Sequence, residues 1–252
     1  MANISVKYFS LALNRKVEFE LFIPNDVPDH KKDEMKTLFL LHGYTDCAEN
    51  WVPEYLAMEH NFAIVIPNGE NGFWLDGLST GHKYCTFVGD ELVEYVRKTF
   101  GIAKSREDTF IMGLSMGGFG ALHTAFKYPD NFGKVTALSS ALIVHEIAKL
   151  KPGTDNGVAN YDYYRECFGE LDKVEKSDNN PEVLVKRLKE SGRLPEIFMS
   201  CGTEDFLLEK NREFHTYLDS IEVPHTYIES KGSHDMVFWS EYVQKFIPLM
   251  MG

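Results

Sequence analysis

Cysteine is scarce in this chain, and its few cysteines do not form a metal-binding pattern. The 252 residues include four cysteines. They are Cys47, Cys85, Cys167 and Cys201. Their spacing excludes a C-x-x-C zinc site and a dense disulfide framework. We expect Cys201, which ends an apolar segment, to be a buried packing residue.

The chain also lacks an excess of positive charge and a long apolar segment. It has 26 Lys and Arg against 38 Asp and Glu, which gives a formal net charge of −12. This acidic balance argues against nucleic acid and anionic membrane surfaces as partners. No apolar run approaches the length of a membrane span, and residues 1–8 lack the basic-then-apolar pattern of an export signal. We therefore expect a cytoplasmic protein without nucleic-acid or membrane partners.

Short apolar segments alternate with helical patterns along the sequence. Hydrophobic residues make up 44% of the chain and charged residues 25%, as is usual for a globular domain. Strands are predicted at residues 4–9, 16–23, 37–41, 63–67, 109–112, 135–138, 196–201 and 225–228. Helical patterns such as 89–100 and 207–221 separate the later strands, which indicates parallel pairing. The sequence predicts an α/β fold: one domain over residues 1–252, with a mostly parallel eight-stranded sheet and helices on both faces.

A nucleophile elbow is predicted around Ser115. The pentapeptide 113–117 is Gly-Leu-Ser-Met-Gly, and it follows the apolar strand 109–112 and precedes a helical pattern rich in small residues. A serine on such a sharp strand-to-helix turn projects its hydroxyl above the sheet, and only small neighbours allow the turn. The helix that follows directs the positive end of its dipole at this position. Ser115 is therefore the candidate nucleophile.

A serine nucleophile needs a base, and four histidines follow Ser115 in the sequence. His225 falls in a predicted strand, His215 in a helix and His145 at the start of a charged connecting region, so we expect packing or surface roles for these three. His234 lies in a polar loop beyond a strand's carboxyl end, where this architecture places its base. His234 is the candidate base.

The acid is expected after the strand that precedes the histidine's strand. Two carboxylates, Glu204 and Asp205, compete there. We prefer Asp205, because three residues after Gly202 the chain has turned once and the shorter side chain can face the histidine loop. Glu204 remains the alternative, and Asp235, adjacent to His234 in sequence, is expected at the surface.

The oxyanion hole is predicted to consist of two backbone amides. One is the N–H of Met116, directly after the nucleophile. The other is the N–H of Tyr44, after the strand 37–41, where Gly43 lets the backbone approach the substrate. His42 is expected to pack beneath this loop.

With these residues in place, the chain resembles the esterase D-like branch of the α/β-hydrolases, which includes tributyrin and acetyl esterases, S-formylglutathione hydrolases and feruloyl esterases. The motifs that carry the resemblance are LLHGYTDCAENW at 40–51, GLSMGGFGAL at 113–122, GTED at 202–205 and GSH at 232–234. The resemblance implies the α/β-hydrolase fold and the roles given above to Ser115, Asp205 and His234. S-formylglutathione hydrolases usually carry histidines where this chain has Leu114 and Phe119, and this departure favours a simple carboxylesterase.

Two segments are candidates for the walls of the substrate pocket. The glycine-rich loop 68–77 contains Trp74, which either walls the acyl pocket or packs within its loop. The segment at about 140–189 contains several aromatic residues and is interpreted as a small cap insertion, with a solvated helical excursion as the alternative. These aromatic residues are Tyr161, Tyr163, Tyr164 and Phe168. Phe119, close to the elbow, is expected to shorten the pocket.

The sequence thus predicts a serine carboxylesterase that acts on small, neutral, short-chain acyl esters through an acyl-enzyme. No metal and no organic cofactor is expected. Alternatives on the same scaffold are a feruloyl or acetyl-carbohydrate esterase, an S-formylglutathione hydrolase and an acyltransferase. The oligomeric state, including a homo-oligomer, stays open.

Overall fold

The computed structural model describes residues 1–25 and 34–252, and its centre is one eight-stranded β-sheet. The strands are β1 Ala2–Ser10, β2 Arg15–Ile23, β3 Lys36–Leu41, β4 Phe62–Pro67, β5 Thr109–Leu114, β6 Lys134–Leu138, β7 Glu196–Gly202 and β8 Thr226–Ser230. Their order in the sheet is β1-β2-β4-β3-β5-β6-β7-β8. The first two strands and the β2–β4 pair are antiparallel, and every later pair is parallel. The predicted sheet is confirmed.

Helices connect the strands and cover both faces of the sheet. They are α1 Glu54–Glu59, α2 Tyr84–Thr86, α3 Leu92–Phe100, α4 Met116–Lys127, α5 Val144–Ile147, α6 Tyr161–Phe168, α7 Pro181–Ser191, α8 Leu208–Ser220 and α9 Met236–Met251. A π-helical segment, Phe87–Glu91, joins α2 to α3, and a 3₁₀ turn, Val174–Lys176, precedes α7. None of the helices in the described part of the chain is long and apolar enough to cross a bilayer.

The central strands are buried on both faces, as parallel strands between two helical layers are. In β3, Phe39 and Leu41 belong to the core that includes α3, α4 and α8. Leu38 and Leu40, on the opposite face, belong to the core that includes α1 and α9. Because β3, β5, β6, β7 and β8 run parallel, their carboxyl ends meet at one edge of the sheet. The loops that leave this edge position the site.

The predicted insertion at 140–189 contains α5, α6, the 3₁₀ turn and most of α7. Helix α7 packs against α4 and α8 in the helical layer that covers the sheet. Asn180 caps its amino end by accepting a hydrogen bond from the Glu182 amide, and Gly192 ends it in the left-handed conformation. The part of the insertion that reaches the edge with the carboxyl ends is therefore the shorter stretch that includes α5 and α6.

Candidate active site

Ser115 lies at the tip of the turn between β5 and α4 and has a strained backbone. Its φ is 54° and its ψ is −119°, outside the region that a non-glycine residue usually adopts. The turn is held because the Ser115 amide donates to the Leu138 carbonyl at 2.9 Å and the Ser115 carbonyl accepts from the Ala141 amide at 3.0 Å. A Cβ at Gly117 would collide with the Leu41 carbonyl oxygen, so the close approach of β3 requires glycine there.

The structure brings Ser115, His234 and Asp205 into one line of hydrogen bonds. His234 Nε2 is 3.0 Å from Ser115 Oγ. His234 Nδ1 is 2.9 Å from Asp205 Oδ2 and 3.1 Å from Asp205 Oδ1. Because the carboxylate accepts at Nδ1, that nitrogen carries a proton, and Nε2 of the neutral ring can accept the proton of the serine hydroxyl.

Asp205 is a buried carboxylate that several donors hold in its ionised form. Its side chain is fully buried, and this burial acts to raise its pKa. Hydrogen bonds from His234, from the Leu207 amide at 2.8 Å and from the Ser139 hydroxyl outweigh burial and lower the pKa of Asp205 below its usual value. The carboxylate therefore faces the imidazole as an anion.

Ser139 and Trp239, which the sequence did not single out, surround the acid and the imidazole. The Ser139 hydroxyl accepts a hydrogen bond from Trp239 Nε1 at 3.0 Å, and the same hydroxyl helps to lower the pKa of Asp205. The Trp239 ring also meets the His234 ring nearly at right angles, with 4.9 Å between centroids, and Phe206 packs on His234 at 4.5 Å. Ser139 and Trp239 are thus positioning residues for the acid and the imidazole.

Removing this support has a measurable consequence. We expect Ser139→Ala to lower kcat/KM roughly tenfold, because it leaves the buried Trp239 Nε1 beside His234 without its acceptor, which costs about 1–3 kcal/mol, part of it recovered by relaxation. The matched control is Ser200→Ala, which removes another fully buried serine hydroxyl, one without a partner among the described residues. Rates that fall equally in both variants would contradict a specific role for Ser139.

The candidate oxyanion donors lie on either side of Ser115. The Met116 amide opens α4, where no earlier helical carbonyl can accept from it. Tyr44 lies in the loop after β3, and within residues 1–25 and 34–252 its amide donates to no backbone carbonyl. Gly43 packs on the elbow: a Cβ there would lie 2.9 Å from Leu114 Cδ1.

His42 fixes the loop that carries Gly43 and Tyr44. It is fully buried, its Nε2 accepts from the Gly69 amide at 2.9 Å, and its Nδ1 therefore donates to the Gly43 carbonyl at 2.8 Å. Burial lowers the pKa of His42, which keeps the ring neutral. His42 thus packs beneath the loop, as expected.

A pocket of about 400 Å³ opens above the Ser115 hydroxyl. Most of its wall is apolar or aromatic. It is lined by Tyr44, Phe73, Ser115, Met116, Ala141, Ile143, Glu146, Asn156, Val158, Tyr163, Tyr164, Phe206, Leu207, Lys210 and His234. The α5–α6 part of the insertion therefore contributes to the wall, and Tyr163 is fixed in it because its hydroxyl donates to the Asn71 carbonyl at 2.5 Å.

Trp74 and Phe119, expected from the sequence to wall this pocket, are buried behind it. Trp74 is fully buried, and its Nε1 donates to the His42 carbonyl at 3.2 Å. Phe119 is also fully buried and lies edge-on to Phe73, with 5.7 Å between ring centroids. This corrects the expectation: Phe73 is the aromatic residue of the 68–77 loop that reaches the pocket.

One side of the pocket is polar, which the sequence did not indicate. Lys210 on α8 forms an ion pair with Glu146 at 3.2 Å. Asn156 Nδ2 donates to Glu146 at 2.8 Å, and the Tyr164 hydroxyl donates to Asn156 at 3.2 Å. These groups contribute donors and acceptors opposite the aromatic wall.

The competing residues from the sequence lie elsewhere. Glu204 is exposed, and its amide donates to the Gly232 carbonyl. Asp235 caps α9, accepting from the amides of Val237 and Phe238 at 3.0 Å each. His145 pairs with two glutamates, and His215 and His225 contact each other. Among the described carboxylates, Asp205 is the one hydrogen-bonded to His234.

The sheet order, the strained serine at the elbow and the serine–histidine–carboxylate line define a serine hydrolase of the α/β-hydrolase fold. Comparison with known families agrees, because the Esterase family model matches residues 10–248. The chain belongs to this family, and it is a carboxylic ester hydrolase.

Individual relatives support this membership. An acetyl esterase of Caldicellulosiruptor saccharolyticus is 40% identical, over 96% of each chain. Among solved structures, the serine hydrolase FphF of Staphylococcus aureus is 27% identical, with a TM-score of 0.86 over 100% of this chain and 98% of that one. The S-formylglutathione hydrolase FrmB of the same species is 28% identical, with a TM-score of 0.83 over 100% and 99%.

Proposed function

We propose that this enzyme hydrolyses short-chain acyl esters through an acyl-enzyme on Ser115. The observation that carries the proposal is the hydrogen-bond line from Asp205 through His234 to Ser115 at the base of an aromatic-walled pocket of about 400 Å³. The 40% identical relative is an acetyl esterase, which supports a small acyl group.

In the first half of the reaction, Ser115 Oγ attacks the ester carbonyl carbon while His234 Nε2 takes the hydroxyl proton. The Asp205 carboxylate keeps Nδ1 protonated and stabilises the imidazolium as it forms. Negative charge develops on the former carbonyl oxygen, and the amides of Met116 and Tyr44 are the proposed donors to it. When the tetrahedral intermediate collapses, His234 gives its proton to the leaving alcohol.

In the second half, water replaces the alcohol in the site. His234 Nε2 takes a proton from this water, whose oxygen attacks the acyl carbon, and the released Ser115 Oγ recovers the proton. An acyltransferase would share the first half and use another hydroxyl in place of water. Products formed in the presence of added alcohols distinguish these two outcomes.

The size of the pocket predicts the preferred acyl chain. We expect kcat/KM to rise from acetyl to butyryl and to fall at octanoyl. Each methylene that fits contributes about 0.8 kcal/mol, and the aromatic rings limit how many fit. A series of p-nitrophenyl esters measures this, and feruloyl and acetylated-sugar esters extend it to the other ester classes.

Variants of Tyr163 provide the control for the ester series. Tyr163→Ala removes a ring from the wall and should raise octanoyl turnover relative to butyryl, whereas Tyr163→Phe keeps the ring and should preserve the short-chain preference. A specificity constant that rises steadily through octanoyl in the unaltered enzyme would contradict a closed pocket.

S-formylglutathione hydrolysis is a second candidate function. FrmB, an S-formylglutathione hydrolase, is 28% identical over the whole chain. Leu114 and Phe119, which stand where those enzymes usually carry histidines, are both buried and absent from the pocket lining. This difference from the usual S-formylglutathione hydrolases therefore does not change the pocket surface that a thioester substrate would contact. Assay of S-formylglutathione beside p-nitrophenyl acetate decides between the two substrates.

We also infer that the substrate is a small neutral ester and that the enzyme acts in the cytoplasm. We expect no nucleic acid or membrane partner and no cofactor. The net charge of −12 supports a neutral substrate and argues against nucleic acid and anionic membrane surfaces as partners. Cell fractionation tests the compartment, and sedimentation tests whether the enzyme forms a homo-oligomer.

A further inference from the structure

Three potential metal ligands meet where α8 ends and β8 begins. His215 and Asp219 are four residues apart on α8, so they share one face of the helix. His225 directly precedes β8. Because the site described above lies at the carboxyl ends of the strands, this second cluster lies at the opposite edge of the sheet.

The side chains of this cluster converge on one another. His215 Nδ1 is 2.7 Å from His225 Nε2. Asp219 Oδ2 is 3.6 Å from His215 Nε2, and Asp219 Oδ1 is 4.0 Å from His225 Nε2. One ligand atom from each residue lies within 4.8 Å of the other two. Two imidazoles and one carboxylate are ligands that zinc and its neighbours in the first transition row accept.

His225 has the orientation and tautomer of a metal ligand. Its side chain is only 3% exposed, and its Nδ1 is 2.8 Å from the Val223 carbonyl, to which it must donate. A hydrogen bond of this kind to a backbone carbonyl fixes the tautomer of metal-binding histidines. The lone pair of Nε2 consequently points at His215, whose Nδ1 carries the single proton between the two rings.

We propose that His215, Asp219 and His225 form a site for a Zn²⁺-type divalent cation. The cation takes the position between the two ring nitrogens, and the proton moves from His215 Nδ1 to Nε2, on the side of the Asp219 carboxylate. Two nitrogens that share a tetrahedral zinc lie roughly 3.3 Å apart, so the rings must separate by about half an ångström. His215 can make this shift, because its side chain is 36% exposed.

A cation at this position would fasten α8 to β8. Helix α8 follows the loop that holds Asp205, and β8 precedes the loop that holds His234. Such a site is not apparent from the sequence. Its ligands are two histidines and an aspartate, which come together only because α8 packs beside the edge strand β8. We expect bound zinc to stabilise the fold and to leave the chemistry at Ser115 unchanged.

The experiment titrates metal-free enzyme with ZnCl₂ by isothermal calorimetry. We expect one zinc per chain in the unaltered enzyme and a loss of affinity of at least tenfold in His215→Gln and in His225→Gln. Saturating zinc should raise the thermal unfolding midpoint of the unaltered enzyme by roughly 5 °C or more. The midpoint of His225→Gln should not change. Co²⁺ should give the strong visible absorption of a tetrahedral site, and Mg²⁺ should not bind.

Two control variants locate the zinc. His60→Gln removes a histidine at the end of α1, and His234→Gln removes the imidazole next to Ser115; both should retain full zinc binding. Esterase activity at low temperature should be unchanged in His225→Gln, which shows that this variant folds. The proposal is overturned if zinc does not bind, if His215→Gln and His225→Gln bind it as tightly as the unaltered enzyme, or if binding is lost in His234→Gln.

Discussion

Replacing Ser115 by alanine should reduce ester turnover roughly a million-fold, the loss that removing a serine nucleophile typically causes. The physical reason is that Ser115 Oγ is the hydroxyl hydrogen-bonded to His234 Nε2, so no other group in the part of the chain that the structure describes is placed to form the acyl-enzyme. The fold should persist, because the backbone hydrogen bonds that hold the elbow involve the amide and carbonyl of residue 115 and do not depend on its side chain.

Two measurements test this expectation together. The first is kcat/KM for p-nitrophenyl butyrate, with Ser200→Ala as the control for loss of a buried serine hydroxyl. The second is intact mass after treatment with a fluorophosphonate, which should modify the unaltered enzyme and Ser200→Ala once and Ser115→Ala not at all. Substantial turnover, or labelling, in folded Ser115→Ala would refute the mechanism.

The fold was largely predictable because parallel strands buried on both faces leave a strong pattern in sequence. The runs at 37–41, 63–67 and 109–112 are almost wholly apolar, and each corresponds to a strand. Boundaries were less accurate. The last strand starts at Thr226 and ends at Ser230, whereas the sequence placed it at 225–228. Its five residues are all half-buried, so burial does not mark its ends.

The residues brought together around Ser115 were predictable because chain order and sheet topology constrain them. Once the elbow was assigned, the loops after the later strands had to open at the same edge of the sheet. The pocket wall was not constrained in this way. Phe73 and Trp74 are adjacent and both have positive φ, 51° and 55°, so the usual alternation of side chains does not apply. This left-handed backbone directs Phe73 to the pocket and Trp74 into the core.

Contacts between distant residues account for what the sequence could not show. Ser139 and Trp239 are 100 residues apart, and neither belongs to a recognisable motif. Lys210 on α8 and Glu146 on α5 pair within the polar side of the pocket wall. Such partners are set by how the helices pack on the sheet, which the local pattern of apolar and polar residues does not specify.

The second large effect is expected at Asp205. Asp205→Asn should lower kcat roughly ten-thousand-fold, as the equivalent change does in serine proteases. The amide NH₂ of asparagine would donate where the carboxylate accepts, which favours a proton on His234 Nε2 and removes the acceptor for the Ser115 hydroxyl proton. The imidazolium formed during attack would also lose its anionic partner, which is 2.9 Å away in this structure.

Glu204→Gln is the matched control, since it neutralises the neighbouring carboxylate while leaving His234 untouched. Glu204 is exposed, whereas the Asp205 side chain is fully buried, so we expect turnover in Glu204→Gln within about twofold of the unaltered enzyme. The measurement is kcat over a pH series for both variants, because the asparagine variant should regain some rate at high pH, where hydroxide assists the attack. A large loss in Glu204→Gln beside normal turnover in Asp205→Asn would reassign the acid to Glu204.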